Sequence, residues 1–575
     1  MRTFPSPEAL RRFPFGLADI AVLLGTLVLI ALVARVGAGT LVSFQPPHDV
    51  PSVDLDPRNL PYYAARSTLR MFIALFFSTV FTLVYGFIAA KSRRAEKVLI
   101  PLLDILQSVP VLGFLSITVT GFIALFPGSL LGLEAASIFA IFTSQVWNMT
   151  FSFYQSLKTI PAELDEATRI YRLSGWERFT KLEVPSSMMG LLWNAMMSFG
   201  GGWFFVTQSE AITVLNRDYT LPGLGSYVAA AIAEENLAAM GWALVTIAVV
   251  ILLCNQLFWQ PLVAWADKFR MEQSAAATAP ESWVYDLFKA ARLPTLMRQA
   301  FAPLKDTINR TLAALTPVRP ARPINPAQQV WGDRLYNLVL LLVIGALVIA
   351  GLHFILTTVG LPEVFKAFGL GLLTLLRVVV LMVIATVIWT PVGVAIGFNP
   401  RLAEFLQPVV QFLASFPANF LFPFATLFFI RTGISIEVGS ILLMSLGAQW
   451  YILFNSIAGA MSIPTELREM ATDFNLRGWL RWRKLIIPGI FSAWVTGGIT
   501  ASGGAWNASI VAEVVSWGSS TLAATGLGAY IAEATTAGDW PRITLGIGMM
   551  SLFVVGLNRL FWRRLYHLAE TKYHL

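Results

Sequence analysis

Twelve runs of about twenty mostly apolar residues constrain this chain more than any other feature, because a helix of that length crosses a bilayer core. The first six cover roughly Leu17–Val36, Tyr63–Ala90, Pro101–Phe126, Ala135–Leu157, Ser186–Thr213 and Ala238–Val263. The second six cover roughly Leu335–Leu356, Gly369–Gly397, Pro408–Ile430, Val438–Ala460, Gly489–Ser516 and Ile543–Phe561. Composition agrees. Of the 575 residues, 56% are hydrophobic and 13% are charged, about half the charged share of a soluble domain. An all-α polytopic membrane protein is expected, and a disordered chain, an ordinary soluble enzyme and a disulfide-stapled secreted domain are excluded. The single cysteine, Cys254, sits in an apolar run, and the four histidines are not spaced as metal ligands. The net charge of +8 then reads as Lys and Arg held on one side of a membrane, with no call for nucleic acid as a partner.

Counting those cations sets the expected orientation. With the N-terminus in the cytoplasm, 32 of the 41 Lys and Arg residues fall on the cytoplasmic side. They include Arg2, Arg11 and Arg12 in the tail, Lys91, Arg93, Arg94 and Lys97 after the second span, and ten between Lys268 and Arg334. Both termini are thereby expected in the cytoplasm. The loop from His48 to Asp56 is acidic, as an outer loop can be. The first span has a basic flank and small residues after it, but its apolar run is longer than a signal peptide's, so a retained anchor is expected.

The chain is a tandem duplication. Between Pro161–Pro185 and Pro464–Pro488, 11 of 25 positions are identical without a gap at an offset of 303. Average composition gives about one or two by chance. The same offset pairs Trp147 with Trp450, Trp203 with Trp506, Glu210 with Glu513, and Gly223-Leu-Gly-Ser-Tyr227 with Gly526-Leu-Gly-Ala-Tyr530. Upstream the offset is 307, pairing Arg70 with Arg377, Gly86 with Gly393, Pro101 with Pro408 and Pro110 with Pro417. Two six-span units running in the same direction form a parallel repeat, with a pathway expected between them. The expected boundaries are a tail at 1–16, a first unit at 17–266, a Pro-rich linker at 267–334 and a second unit at 335–575. Within the linker, Leu296, Ala300, Leu304, Ile308, Leu312 and Leu315 recur at helical spacing. This predicts an amphipathic helix at the membrane surface or against the protein.

The most informative segment is the repeated loop between the fourth and fifth spans of each half. Pro161 and Pro464 suit a helix start, and Glu163 and Glu466 fall in the first turn, where the helix dipole favours them. Each loop should present a short helix with acidic and aromatic groups. The first copy contains Glu166-Ala-Thr168 followed by Val184-Pro185, and the second Glu469-Met-Ala471 followed by Ile487-Pro488. This pattern resembles the EAA loop of ABC-importer permeases. That motif has a Gly six residues after its Glu and a Pro thirteen residues later. Here the Gly position holds Arg172 and Asn475, so Gly175 and Gly478, three residues on, are expected to carry the turn.

Further features resemble the nitrate, sulfonate and taurine type of importer permease: Leu69-Arg70 and Leu376-Arg377 opening span two, Glu210 and Glu513 late in span five, and the Gly-Leu-Gly-x-Tyr segments. Members of that family carry one such unit, and this chain resembles two units fused. The resemblance implies a type I ABC importer permease fold. It also implies a cytoplasmic ATPase dimer and a periplasmic or lipid-anchored solute-binding protein as partners, and a bacterial inner membrane as the location. ATP and Mg would bind the partner subunits, because the chain has no Gly-x-x-x-x-Gly-Lys-Ser/Thr phosphate loop. The ATPase-docking residues so implied are Glu166, Ala167, Tyr171, Gly175, Trp176, Glu469, Met470, Phe474, Gly478 and Trp479.

Candidate pathway residues are Arg70 and Arg377, whose charge inside the apolar run needs a cavity or a partner. Glu210 and Glu513 are expected near the outer interface as partners of those arginines. Span five adds Ser198, Trp203, Ser502 and Trp506 in its small-residue stretches, with Gln208 and Asn507 able to hydrogen-bond a polar solute. The expected solute is a small anion such as nitrate, a sulfonate or bicarbonate. The competing reading is a twelve-helix ion-coupled secondary transporter. The loop motif usual in that class is not present after span two, where the sequence reads Ala90-Lys-Ser-Arg-Arg-Ala-Glu-Lys97.

Overall fold

A computed structural model describes residues 16–40, 53–108, 115–214, 217–269, 282–316 and 326–572. Arg2, Arg11, Arg12, Pro110 and the linker prolines 280, 317, 320 and 323 lie outside the described residues, as does the acidic loop up to residue 52.

The first half runs α1 Leu17–Ala38, α2 Leu60–Lys91, α3 Arg93–Ser108, α4 Leu115–Leu125 and α5 Leu131–Lys158. The loop helices α6 Ala162–Ile170 and α7 Gly175–Arg178 follow, then α8 Val184–Glu210. A hairpin of β1 Ala211–Val214 and β2 Arg217–Thr220 leads to α9 Leu224–Ala233, α10 Leu237–Cys254 and α11 Gln260–Ala266. The linker holds α12 Trp283–Ala290 and α13 Leu293–Leu315.

The second half repeats the plan. It has α14 Pro326–Thr358, α15 Leu361–Gly397, α16 Pro400–Ser415, α17 Phe422–Thr432 and α18 Ile436–Ser462. Its loop helices are α19 Thr465–Asp473 and α20 Gly478–Arg481. Then come α21 Ile487–Ala512, the hairpin β3 Val514–Trp517 and β4 Ser520–Ala523, α22 Leu527–Ala537, α23 Trp540–Leu557 and α24 Arg563–Lys572. Wide π-helical turns recur at matching places: Phe179–Glu183 with Trp482–Ile486, and Asn255–Trp259 with Asn558–Trp562. The duplication thus extends to local backbone irregularities.

Among the described residues, eight helices are long and apolar enough to cross a membrane. Helices α5 and α8 have 28 and 27 residues and carry more polar groups. The chain is an integral membrane protein. Helices α1 and α14 leave most of their apolar side chains uncovered, including Leu29, Leu341, Leu347 and Ile349. An apolar surface of that extent requires lipid around it.

The expected ninth span is not a single helix; residues 109–114 of the expected third lie outside the described residues. In the second half, Phe416 has ψ 126°, the extended conformation that a following proline imposes, and Pro417 ends the helical run. A short 3-10 turn at Ala418–Phe420 separates α16 from α17, which restarts with Pro423 in its first turn. The fifth span also ends earlier than expected, at Glu210 and Ala512, because the chain turns there into the hairpins.

The two halves are interlocked. Trp517 of the second hairpin is buried in the first half's core with Tyr63, Met71 and Tyr227. Leu221, after the first hairpin, is buried in the second half's core with Leu443, Ala505 and Leu527. The backbone N–H of Gly518 donates to Ile232 O at 3.1 Å. The hairpins therefore close one end of the bundle, and the repeated loops occupy the other.

Candidate functional site

At the loop end, α6 and α19 terminate in the same way. The Arg172 N–H donates to Arg169 O (3.1 Å) and the Leu173 N–H to Thr168 O (3.0 Å). In the second copy the Asn475 N–H donates to Thr472 O (2.9 Å) and the Leu476 N–H to Ala471 O (2.8 Å). These paired bonds form a Schellman motif, which needs a left-handed residue one position past the cap. That residue is Arg172 (φ 50°) in one loop and Asn475 (φ 53°) in the other. The turn is therefore carried by Arg172 and Asn475 and not, as expected, by the two glycines alone. Gly478 is also left-handed at φ 53°, whereas Gly175 opens α7 at an ordinary φ. Glu166, Tyr171, Glu469, Met470 and Phe474 are exposed on the outer surface of these helices.

The loops are anchored differently. In the first, Glu183 is buried and accepts from Lys91 and from Arg178 Nε (2.8 Å). The second half has Phe398 and Ile486 at the corresponding positions, both packed in one apolar cluster, with Arg468 stacked over Phe398 at 4.9 Å. Ser174 and Glu177 form a capping box at the start of α7. Lys181 and the Ser174 N–H and hydroxyl hold the Glu177 carboxyl down at about 2.

The linker adds a further asymmetry. Gly175 N donates to Thr316 O, Trp176 N to Thr316 Oγ1 and Trp176 Nε1 to Asn309 Oδ1, each at 2.9 Å. Helix α13 thus holds the first loop. Trp479, the equivalent of Trp176, is 72% exposed.

At the hairpin end, each half contains a charge cluster, wholly buried in the first half and partly exposed at Glu437 in the second. Arg70 donates to Glu134 (Nε, 2.6 Å; Nη2, 2.8 Å), to Glu210 (Nη1, 2.6 Å) and to Pro222 O (3.0 Å). Arg66 also pairs with Glu134. The second carboxylate oxygen of Glu210 accepts from Gly225 N at 2.7 Å. In the other half Arg377 pairs with Glu513 (2.8 Å) and Glu437 and donates to Thr525 O (3.1 Å). Ser67 and Thr374 play matching parts. Their hydroxyls donate to Glu210 (2.5 Å) and Glu513 (2.8 Å) and accept from Leu224 N (3.0 Å) and Leu527 N (2.9 Å). A Cβ on Gly223 or Gly526 would lie 2.3 or 2.2 Å from the glutamate carboxylate. The repeated Gly-Leu-Gly segment is therefore the close approach that lets backbone amides reach a buried carboxylate.

Between the halves, the small residues of α8 and α21 meet side chains of the opposite half or of neighbouring helices. A Cβ on Gly200 would lie 2.6 Å from Ser415 Oγ, and one on Gly201 would lie 3.6 Å from Tyr451 Oη. The Tyr451 ring also lies against Gly504. Asn419, placed by the break between α16 and α17, donates to Phe204 O (3.3 Å) and to Thr207.

Residues 82–259 and 387–565 each match the family described as the binding-protein-dependent transport system inner membrane component. The chain belongs to this family. Among similar permeases is the nitrate import permease protein NrtB of Leptolyngbya laminosa, 25% identical over 156 residues, which are 27% of this chain and 53% of that protein. The bicarbonate transport system permease protein CmpB of Synechococcus elongatus is 29% identical over 132 residues, 23% of this chain and 46% of that protein. The trimethylamine N-oxide transport system permease protein TmoV of Pelagibacter ubique is 23% identical over 448 residues, 72% of this chain and 59% of that protein. The chain spans about half the length of the curated relatives it matches.

In this permease the sequence-selected groups occupy three places. Glu166, Ala167, Tyr171, Gly175 and Trp176, and Glu469, Met470, Phe474, Gly478 and Trp479, form the paired loops. Arg70 and Arg377 have their guanidinium groups committed to carboxylates. Trp203 and Trp506 are buried in the cores of their own halves, and Ser198 and Ser502 are buried near them. Gln208 and Asn507 are half-buried, and Asn507 Nδ2 donates to Gly503 O at 3.2 Å. Sequence reasoning passed over Glu134 and Glu437. The offset of 303 relates them too, so the repeat contained the signal.

Proposed function

We propose that this chain is the transmembrane permease subunit of an ABC importer, with permease units at 17–266 and 335–575 fused through the linker at 267–334. The observation that carries the reading is the double family match, with one EAA-type loop in each matched region and both loops at the same end of the bundle. A separate cytoplasmic ATPase dimer docks on the two loops, and its closure moves the halves as rigid bodies. A solute-binding protein delivers the solute at the hairpin end. The membrane is a bacterial inner membrane, and both termini face the cytoplasm, as the distribution of Lys and Arg favours. The chain itself hydrolyses no ATP.

The solute is small and polar, of the anion class named for the nitrate, bicarbonate and sulfonate relatives. The trimethylamine N-oxide relative favours a second reading, a dipolar uncharged solute. In support, Arg70 is neutralised by buried Glu134 and Glu210, and Arg377 by buried Glu513 and half-exposed Glu437, which leaves them no net charge to attract an anion. The test is reconstitution of the chain with its ATPase and solute-binding protein in proteoliposomes. Uptake should require ATP, with two ATPase subunits copurifying per chain. Uptake driven by an ion gradient without the ATPase would assign the chain to secondary transport. A binding screen of the solute-binding protein against nitrate, bicarbonate, sulfonates and trimethylamine N-oxide separates the two solute classes.

A further inference from the structure

Helix α13 presents a face that nothing among the described residues covers. Met297, Phe301, Leu304, Ile308 and Leu315 follow one another at spacings that keep them on one side of the helix, and they are between 47% and 72% exposed. Arg298 and Lys305, seven residues apart, flank this stripe and are exposed. Asp306 lies on the opposite side of the helix, also exposed.

Both ends of α13 are tied to the cytoplasmic-loop edge of the membrane-spanning bundle. At its start, the N–H groups of Arg292 and Leu293 donate to Asp19 Oδ1 at 2.6 and 2.8 Å, and Asp19 sits in the first turn of the span α1. At its end, Thr316 accepts from Gly175 and Trp176. Arg178 of that same short helix shares the Glu183 carboxylate with Lys91, the last residue of the span α2. A helix of 23 residues is about 34 Å long. Tied at both ends to the ends of membrane spans, it runs along the bilayer surface and does not project from it.

We propose that α13 is a lipid-binding element, seated in the headgroup layer of an anionic phospholipid surface. Its apolar stripe enters the acyl boundary, and Arg298 and Lys305 meet lipid phosphates. Trp283 and Phe288 of α12 are exposed as well and supply aromatic groups at the same level. The first repeated loop is thereby fastened to the membrane through Asn309 and Thr316, whereas the second has no such strap among the described residues. The proposal needs only that the chain spans a membrane, and it stands apart from the transport reading.

The test uses the full chain, purified without an ATPase and reconstituted in nanodiscs containing phosphatidylglycerol. In a Cys254→Ala background, an environment-sensitive fluorophore is attached at Phe301→Cys, Ile308→Cys and, as the control, Asp306→Cys. Leu304→Cys provides another stripe position if one of the first two fails to insert. Stripe positions should show blue-shifted emission and severalfold stronger quenching by brominated acyl chains than the control. The quenching should weaken when phosphatidylcholine replaces phosphatidylglycerol. Water-like, unquenched emission at the stripe positions would overturn the proposal. So would a probe that becomes shielded only when the purified ATPase is added, which would assign the stripe to a protein contact. Quenching indifferent to lipid charge would overturn the anionic requirement.

Discussion

Nη1 of Arg70 lies 2.6 Å from Oε1 of Glu210, and this contact closes α2 onto the end of α8 across 140 residues of sequence. Glu134 accepts from the other guanidinium nitrogens and also pairs with Arg66, so two arginines face two carboxylates, both of them buried. Removing one partner leaves an uncompensated charge, which costs roughly 3–5 kcal/mol at a buried site. Arg70→Ala and Glu210→Ala should each lower the unfolding midpoint of the purified protein sharply. Arg70→Lys should not restore it, because a point charge cannot span Glu134, Glu210 and Pro222 O at once. Thermal unfolding in detergent checks this, and melting close to wild type in Arg70→Ala would contradict it.

Arg172 occupies a left-handed conformation that costs an L-residue roughly 1–2 kcal/mol. Glycine removes that strain but loses more entropy on folding, roughly 0.5–1 kcal/mol. Arg172→Gly should therefore be neutral to mildly stabilising for the first loop, and Asn475→Gly should change the second loop less. Gly478→Ala, which introduces a Cβ at φ 53°, should destabilise its loop. Amide exchange of residues 165–180 and 468–483 in the three variants gives the comparison.

Glu166 and Glu469 are exposed, and a charge reversal at a surface site costs about 0.5 kcal/mol or less in stability. At a desolvated contact, juxtaposed like charges cost several kcal/mol. The double variant Glu166→Lys with Glu469→Lys should insert and purify normally yet lose ATPase binding and transport. Wild-type transport by that variant would sink the docking role of the loops.

Asn309 accepts the indole N–H of Trp176. Asn309→Ala should loosen the first loop alone. Trypsin cleavage around Arg178 should accelerate, while cleavage around Arg481 keeps its wild-type rate. Equal acceleration at both sites would mean that α13 does not act as a local strap.

Gln299 is exposed on the polar side of α13. In a Cys254→Ala background, a cysteine at Gln299 should react with an impermeant thiol reagent in inverted vesicles and stay unlabelled in intact cells. Labelling of intact cells would reverse the orientation read from Lys and Arg.

Most of the architecture was legible because its causes are local or repeated. Apolar run length fixed the positions of the spans, and the offset of 303 identified the paired loops. The break at Phe416–Pro417 could have been read from the proline alone, but the apolar residues on both sides masked it. The charge cluster was half legible. Arg70 and Glu210 are out of place in an apolar run, whereas Glu134 stands at a helix start, where a carboxylate is ordinary. The strap between Trp176 and Asn309 had no sequence signal. It joins segments 133 residues apart through one indole and one amide, groups common on any surface.

Leu221 seats in the second half's core and Trp517 in the first half's, yet neither is the other's repeat equivalent: the offset of 303 pairs Leu221 with Ala524 and Trp517 with Val214. Two identical chains would have to satisfy both sides of such a contact with one sequence. Here Lys91 and Glu183 form an ion pair, while Phe398 and Ile486, at the same places in the other half, form an apolar one. No single sequence could be both. Covalent joining fixes the stoichiometry at one and one, so the halves are free to drift apart at every position that does not face its own counterpart. A substitution harmless at one site can therefore be lethal at its twin, and the distance between the two repeats measures how far the two sides of the machine have been released from symmetry.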